Sequence, residues 1–382
     1  MKLDVNQIID EVPVIDSSSD YWLMRANSGD FYTDFYMNSY IGLGWNGIPI
    51  QSIKDANNNS DVIKGELKQL TQKTGDNPEN TSEQAYGIWA NQLIRFTSGL
   101  KVNDIVVVPS ESSELFLVGQ ITSNAFELAK DKVQRIQDET TQYKVSNFQK
   151  RRTVKWLGSF SRDKADTALY KMIYSQHTLS DINFYKPYIN RAMFDAYIED
   201  GQLHLTFNVT QPTDISSEYL GQFMYQISKI AKTFDSTSNV VVKVNVQSPG
   251  PVETVFKSVG IGIAVFAVIG MATALPYGGE FKFGNAVIGE ISYKVPGIAT
   301  SHQKNVQESV KSSDEHNEKL LKIEKDAVKQ AVELKVPISK LGLNLPESIQ
   351  KSLQQEVDRQ VKKQAQKTDK KKKDDTPHPS KQ

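Results

Sequence analysis

At 382 residues, 38% hydrophobic and 24% charged, the chain is long enough to bury large cores and is expected to divide into two or three domains. Forty-five basic and forty-five acidic residues cancel, which excludes a global positive field, so any nucleic-acid contact has to come from a local patch. The absence of cysteine excludes disulfides, thiolate metal sites and a thiol nucleophile and fits a reducing cytoplasm.

The first residues carry Asp4, Asp10 and Glu11 and lack the apolar centre of a secretory leader. Residues 1–20 close on Asp16-Ser17-Ser18-Ser19-Asp20 and read as a flexible arm. Strand-like runs follow at 21–26 and 40–45, then a turn at Asn57-Asn58-Asn59-Ser60, a polar helix-like stretch and a loop at Gly75-Asp76-Asn77-Pro78. From Glu83 to Thr97, Trp89, Leu93 and Phe96 share one helical face. Residues 104–109 and 115–121 form a hairpin signature around a Ser/Glu-rich turn at 110–114, and Arg151 to Trp156 supplies a fifth short strand, with a helix after Ser161. Many short strands with one or two helices predict a small mixed barrel.

All four tryptophans, Trp22, Trp45, Trp89 and Trp156, lie in this first part. Indole rings either fill a core or, where several converge on an open hollow, stack a base. Trp22, Trp45 and Trp156 are candidate stacking walls, whereas Trp89, on the apolar helix face, reads as core. Arg25, Arg95, Arg151, Arg152 and Lys155 are candidate phosphate contacts, which position a strand without reading its sequence.

Residues 187–252 change style. A strand pattern at 203–209, an amphipathic helix at 216–234 and a strand at 240–246 predict a small α+β unit. From Ser258 to Gly279 there is no charge. This segment, within 253–280, is one long apolar helix, open to two readings: membrane insertion at the short limit of a span, or burial and oligomer formation. Residues 281–366 read as a charged helical interaction region. Leu320, Ile323, Ala327, Ala331 and Leu334 make one stripe, and Ile349, Leu353, Val357 and Val361 make another after Pro346. Residues 367–382, with Lys370-Lys371-Lys372-Lys373, read as a disordered tail.

No motif makes an active site. The five histidines are scattered, with no metal-ligand pair at helical spacing. No phosphate-binding loop is present, and Gly42-Leu43-Gly44 lacks the third glycine of a dinucleotide fingerprint. The Glu-x-Lys triplets at Glu66, Glu280 and Glu333 lack the partner Asp on a neighbouring strand that a two-carboxylate metal site needs. Neither a cofactor nor a metal is expected.

The runs Tyr21 to Ala26, Phe31 to Phe35, Ile41 to Trp45, the helix with Leu93 to Phe96, Val102 to Val107, Leu117 to Ile121 and Arg151 to Trp156, with Ser161-Arg162-Asp163 after them, together resemble the N-terminal domain found ahead of the nuclease in many Mrr-type restriction proteins. The resemblance covers residues 21–186 and implies a PUA-like barrel of the broad EVE and YTH type, which binds nucleic acid and often reads a modified base. The nuclease domain that normally follows has no counterpart, so cleavage is not carried over.

The fold expected is therefore α+β: an N-terminal PUA-like mixed β-barrel with flanking helices, the small α+β unit, the long apolar helix and the charged helical C-terminal region. The function expected is a non-enzymatic sensor of foreign or modified nucleic acid, DNA ahead of RNA, in a restriction or anti-phage setting. Its C-terminal part would act by membrane contact through 258–279 or by homo-oligomerising through 258–279 and 303–361, in the cytoplasm or on the inner face of the cell membrane. A diverged restriction-type endonuclease and a membrane-associated scaffold are the alternatives.

Overall fold

The computed structural model describes residues 5–74, 81–175, 177–212, 214–244, 250–274, 279–285, 289–295 and 315–356, with 358, 359 and 362. The chain is mixed α+β and divides into two compact units, Ser18–Met193 and Met1–Ser17 with Phe194–Gln382.

The Ser18–Met193 unit is built on a seven-stranded sheet curled into a half-barrel. Its order is Tyr40–Leu43, Lys150–Ser161, Leu115–Ile121, Ile105–Pro109, Tyr21–Met24 and Leu179–Asp181, with Phe126–Glu127 also beside the long Lys150–Ser161 strand. The expected hairpin is present, since Ile105–Pro109 pairs antiparallel with Leu115–Ile121. Tyr21–Met24 runs parallel to Ile105–Pro109, a pairing that needs a long crossover, and the helices Ser60–Thr74 and Glu83–Ile94 lie within it.

The central strands Tyr21–Met24 and Ile105–Pro109 are buried on both faces, which is why they read as unbroken apolar runs, whereas alternate residues of Lys150–Ser161 are exposed. Alternation sends Trp22, Val106, Val108, Leu117 and Val154 into one core with Leu93 and Phe96. It sends Tyr21, Leu23, Val107, Phe116 and Phe160 into another with Met172 and Ile189. A register shift at Val118/Gly119 bends the long pairing. A Cβ on Gly119 would lie 2.5 Å from Trp156 Cε3, so only glycine lets that indole lie across the sheet here.

In the other unit, residues 5–15 of the segment expected as a flexible arm are docked. Val5–Glu11 is helical, Ile8 and Val12 are buried in the core, and Val14–Ile15 pairs parallel with Ala196–Glu199. The expected strand, helix and strand are Gln202–Val209, Ser217–Phe234 and Val240–Val244, and Gly250–Phe256 lies between the two strands in the sheet. Ser216 starts the helix, its side chain accepting from the Tyr219 amide, and Leu220, Phe223, Ile227 and Ile230 form its buried stripe.

The apolar segment is a core helix, Val259–Ala274, of 16 residues. At 1.5 Å per residue it is about 24 Å long, short of a ~30 Å hydrocarbon layer. No helix among the described residues is long and apolar enough to cross a membrane. Ile261, Ile263 and residues 265–269 are buried in a cluster with Phe207, Phe223, Ala331, Leu334 and Leu353. A helix surrounded on every side has no polar face to show, which accounts for its composition. Both expected C-terminal stripes pack on this same core through Ala327, Ala331, Leu334, Ile349 and Leu353. The loop at 75–78, residues Val357 and Val361, and the tail 367–382 lie outside the described residues.

Candidate functional site

Three consecutive cations open the long strand, and all three are buried: Lys150, Arg151 and Arg152. Strand alternation puts Arg151 on one face and its two neighbours on the other. Arg152, 1% exposed, donates from Nε to Phe96 O at 2.8 Å, from Nη2 to Thr97 O at 2.9 Å and from Nη1 to Ser123 O at 3.0 Å. Phe96 and Thr97 belong to the π-turn Arg95–Gly99 that ends the Glu83–Ile94 helix, so the guanidinium caps carbonyls that a helix end leaves unpaired. Burial pushes Arg152 down to about 10, which leaves it charged at neutral pH.

Arg151 lies with its guanidinium carbon 4.0 Å from the Tyr40 ring centroid and donates from Nε to Phe148 O at 2.9 Å, while its Nη2 is buried without a partner. Lys150 Nζ donates to Trp45 O at 2.7 Å and lies 4.0 Å from Glu127 Oε1; burial pushes it down to about 8. None of the three is presented to solvent, where a phosphate would have to meet it. Of the other expected phosphate contacts, Arg95 and Lys155 are exposed and Arg25 is half-buried.

The tryptophans do not share one hollow. Trp22 is buried and its indole N–H donates to Asp104 Oδ2 at 3.0 Å. Trp156 is half-buried, with Nε1 donating to Phe35 O at 3.2 Å and Tyr36 O at 3.1 Å. Trp45 instead meets Trp89, the residue assigned to the core, with centroids 5.9 Å apart, and Trp89 meets Tyr86 edge-on at 5.3 Å. Trp45 sits at φ 54°, unusual for a bulky side chain. Its turn is braced by Asn46, whose amide donates to Asn147 O at 2.9 Å and whose carbonyl oxygen accepts from Gln149 N at 3.1 Å.

One recess combines a cation with free polar groups. Tyr21–Met24 and Ile105–Pro109 are parallel neighbours, so their carboxyl ends emerge on the same side of the sheet. There the turns 25–29 and 110–113 press together through Gly29, at φ 102°, where a Cβ would stand 2.2 Å from Glu111 N. Between them lies a cavity of about 310 Å³ lined by Arg25, Ser28, Ser110, Ser112 and Ser113, with apolar wall from Pro109 and Ile173. No carboxylate lines it.

Arg25 is held in place by two carbonyls, Nε donating to Ser175 O at 2.8 Å and Nη2 to Ile173 O. That leaves three of the five N–H groups a guanidinium carries. Asn27, Ser28, Ser112 and Ser113 all have φ between 50° and 58°, a sparsely populated conformation that persists where the surroundings enforce it and that gathers at ligand clamps. Arg25 was legible as a candidate in the sequence. The serines were not, because Ser110-Glu111-Ser112-Ser113 has the composition of any hairpin turn.

Elsewhere, His204 Nδ1 is 2.6 Å from the buried Glu253 carboxylate and its ring stacks on Tyr197 at 4.4 Å. No group of three metal-ligating side chains occurs among the described residues.

Residues 21–183 match the model of a family described as a domain of unknown function (DUF8426). The match takes in every strand of the half-barrel and both turns of the Arg25 cavity. No curated protein and no solved structure matches the chain.

Proposed function

We propose that the Ser18–Met193 unit recognises nucleic acid, with the Arg25 cavity as its point of engagement, as the sensing part of a non-enzymatic restriction or anti-phage protein. The observation that carries this reading is the cavity itself: an anchored guanidinium with donors to spare and serine hydroxyls, with no carboxylate in the wall. An overall neutral chain has to concentrate its phosphate affinity locally. The exposed Arg95 and Lys155 add sequence-independent attraction, and the half-buried Trp45 and Trp89 add surface on which an unpaired base can lie. The resemblance of residues 21–186 to the reader domains of restriction proteins supports the same reading and favours DNA. The second unit, which has its own core, couples recognition to a response by self-association in the cytoplasm.

The test is fluorescence anisotropy of the full chain with single- and double-stranded oligonucleotides, plain and base-modified, from about 50 to about 200 mM salt. The expected result is an affinity that falls as salt rises and falls about tenfold or more in Arg25→Gln, as loss of a charge-assisted pair implies. No affinity for any oligonucleotide at the lowest salt refutes the reading.

A further inference from the structure

The geometry points to a terminal phosphomonoester, rather than a base ring, as the group the Arg25 cavity receives; the inference rests on the reading of this cavity as the recognition site. A base is held by stacking between flat side chains, and no aromatic residue lines this recess. What it offers is hydrogen-bond donors. Arg25, tied to Ser175 O and Ile173 O, keeps a free edge of its planar fork, the geometry that matches two oxygens of one phosphate. The hydroxyls of Ser28, Ser112 and Ser113 have no hydrogen-bond partner among the described residues, whereas Ser110 Oγ is engaged, accepting from Leu115 N at 3.0 Å and donating to Glu111 O at 3.2 Å.

These free donors belong to both turns that line the recess. A phosphodiester inside a strand has two unesterified oxygens and needs the chain to enter and leave. A monoester presents three oxygens and a single attachment. Donors arranged around a recess of about 310 Å³ match the second. The same group is found at the end of a strand and on a free mononucleotide, and the probes below separate the two.

The experiment is isothermal titration of the full chain with inorganic phosphate, a nucleoside, its 5′-monophosphate, and one single-stranded oligonucleotide in 5′-hydroxyl, 5′-phosphate and 3′-phosphate forms. The expected result is that a terminally phosphorylated strand binds about tenfold or more tightly than the hydroxyl form, with no heat from the nucleoside. Ser112→Asp sets a carboxylate at the exposed rim, in a conformation Asp tolerates, and is expected to erase the difference. Ser112→Gly, which removes one of these hydroxyls and adds no charge, is expected to shrink the difference without erasing it. These two variants stand even if Arg25→Gln unfolds the 173–175 segment.

Equal binding of all three oligonucleotide forms overturns the phosphomonoester inference and leaves nucleic-acid recognition in place. A monophosphate that binds as tightly as the phosphorylated strands, with no affinity for the hydroxyl form, supports the inference and overturns the nucleic-acid reading. No binding by any phosphorylated probe overturns the inference.

Discussion

Replacing Arg152 by Met removes a guanidinium while keeping much of its volume, and three backbone carbonyls, Phe96 O, Thr97 O and Ser123 O, lose their donor at once. A buried acceptor left unpaired costs about 1–3 kcal/mol. Two of these carbonyls end a helix, where a cation is additionally favourable. Against this, the variant no longer buries a charge, which returns part of the loss. The net expectation is a destabilisation of about 3–4 kcal/mol, a large share of the ~5–15 kcal/mol that holds a domain folded. Urea denaturation followed by tryptophan fluorescence reads it, because Trp22, Trp45, Trp89 and Trp156 all lie within Ser18–Met193 and the other unit has no tryptophan. Lys155→Met, at an exposed position on the same strand, is the control and is expected within about 0.5 kcal/mol of wild type. A loss below about 1 kcal/mol in Arg152→Met would show that the guanidinium does not organise the helix end, and the account of its burial would be wrong.

Three other expectations follow from the same geometry. Lys150, pushed down to about 8 from 10.5 by burial, binds its proton less tightly folded than unfolded. The unfolded chain therefore holds more protons between those two values, and stability from this group rises with pH across that window. The rise is expected in wild type relative to Lys150→Met, and parallel stability–pH curves from pH 7 to about 11 contradict it. Gly29→Ala forces a Cβ to within 2.2 Å of Glu111 N at φ 102°; the turns must part, and oligonucleotide binding is expected to fall more than about tenfold while the unit loses only about 1–3 kcal/mol. Unchanged binding would place the site elsewhere. Val265→Asp buries an unpaired carboxylate in the Val259–Ala274 helix, where Val265 is fully buried, and is expected to unfold its unit by circular dichroism, since an isolated buried charge costs several kcal/mol. Wild-type stability in this variant would mean that the helix is not a core element.

The strands at 21–24, 40–43, 105–109, 115–121, 150–161, 202–209 and 240–244 were legible because period and composition are local properties, whereas Ala196–Glu199, Gly250–Phe256 and the hairpin of Gly279–Asn285 with Gly289–Val295, which falls largely in the region expected to be helical, were not. Residues 105–109 and 115–121 read as a hairpin, and 216–234 as an amphipathic helix, from side chains a few positions apart. What was hidden depends on partners distant in sequence. Arg151 and Arg152 read as phosphate contacts because nothing nearby announces the carbonyls of Phe96, Thr97 and Ser123 that receive one guanidinium, or the Tyr40 ring that lies under the other. Trp89 packs against the core as its helical phase indicates, but that phase does not reveal Trp45 arriving beside it. The docking of residues 5–15 was invisible for the same reason: their partner, Ala196–Glu199, lies far along the chain. The two readings of the apolar segment could not be separated by composition, since a helix enclosed by protein and one enclosed by lipid need the same side chains; its packing among Phe207, Phe223, Ala331 and Leu334 separates them.

Hydrogen exchange of the full chain, with and without a saturating 5′-phosphorylated single strand, maps the ligand directly. Protection is expected at residues 25–29 and 110–113 and in the 173–175 segment that anchors Arg25. Protection confined to the turn around Trp45 or to the other unit, or no protection at all, would contradict the assignment of the Arg25 cavity as the recognition site.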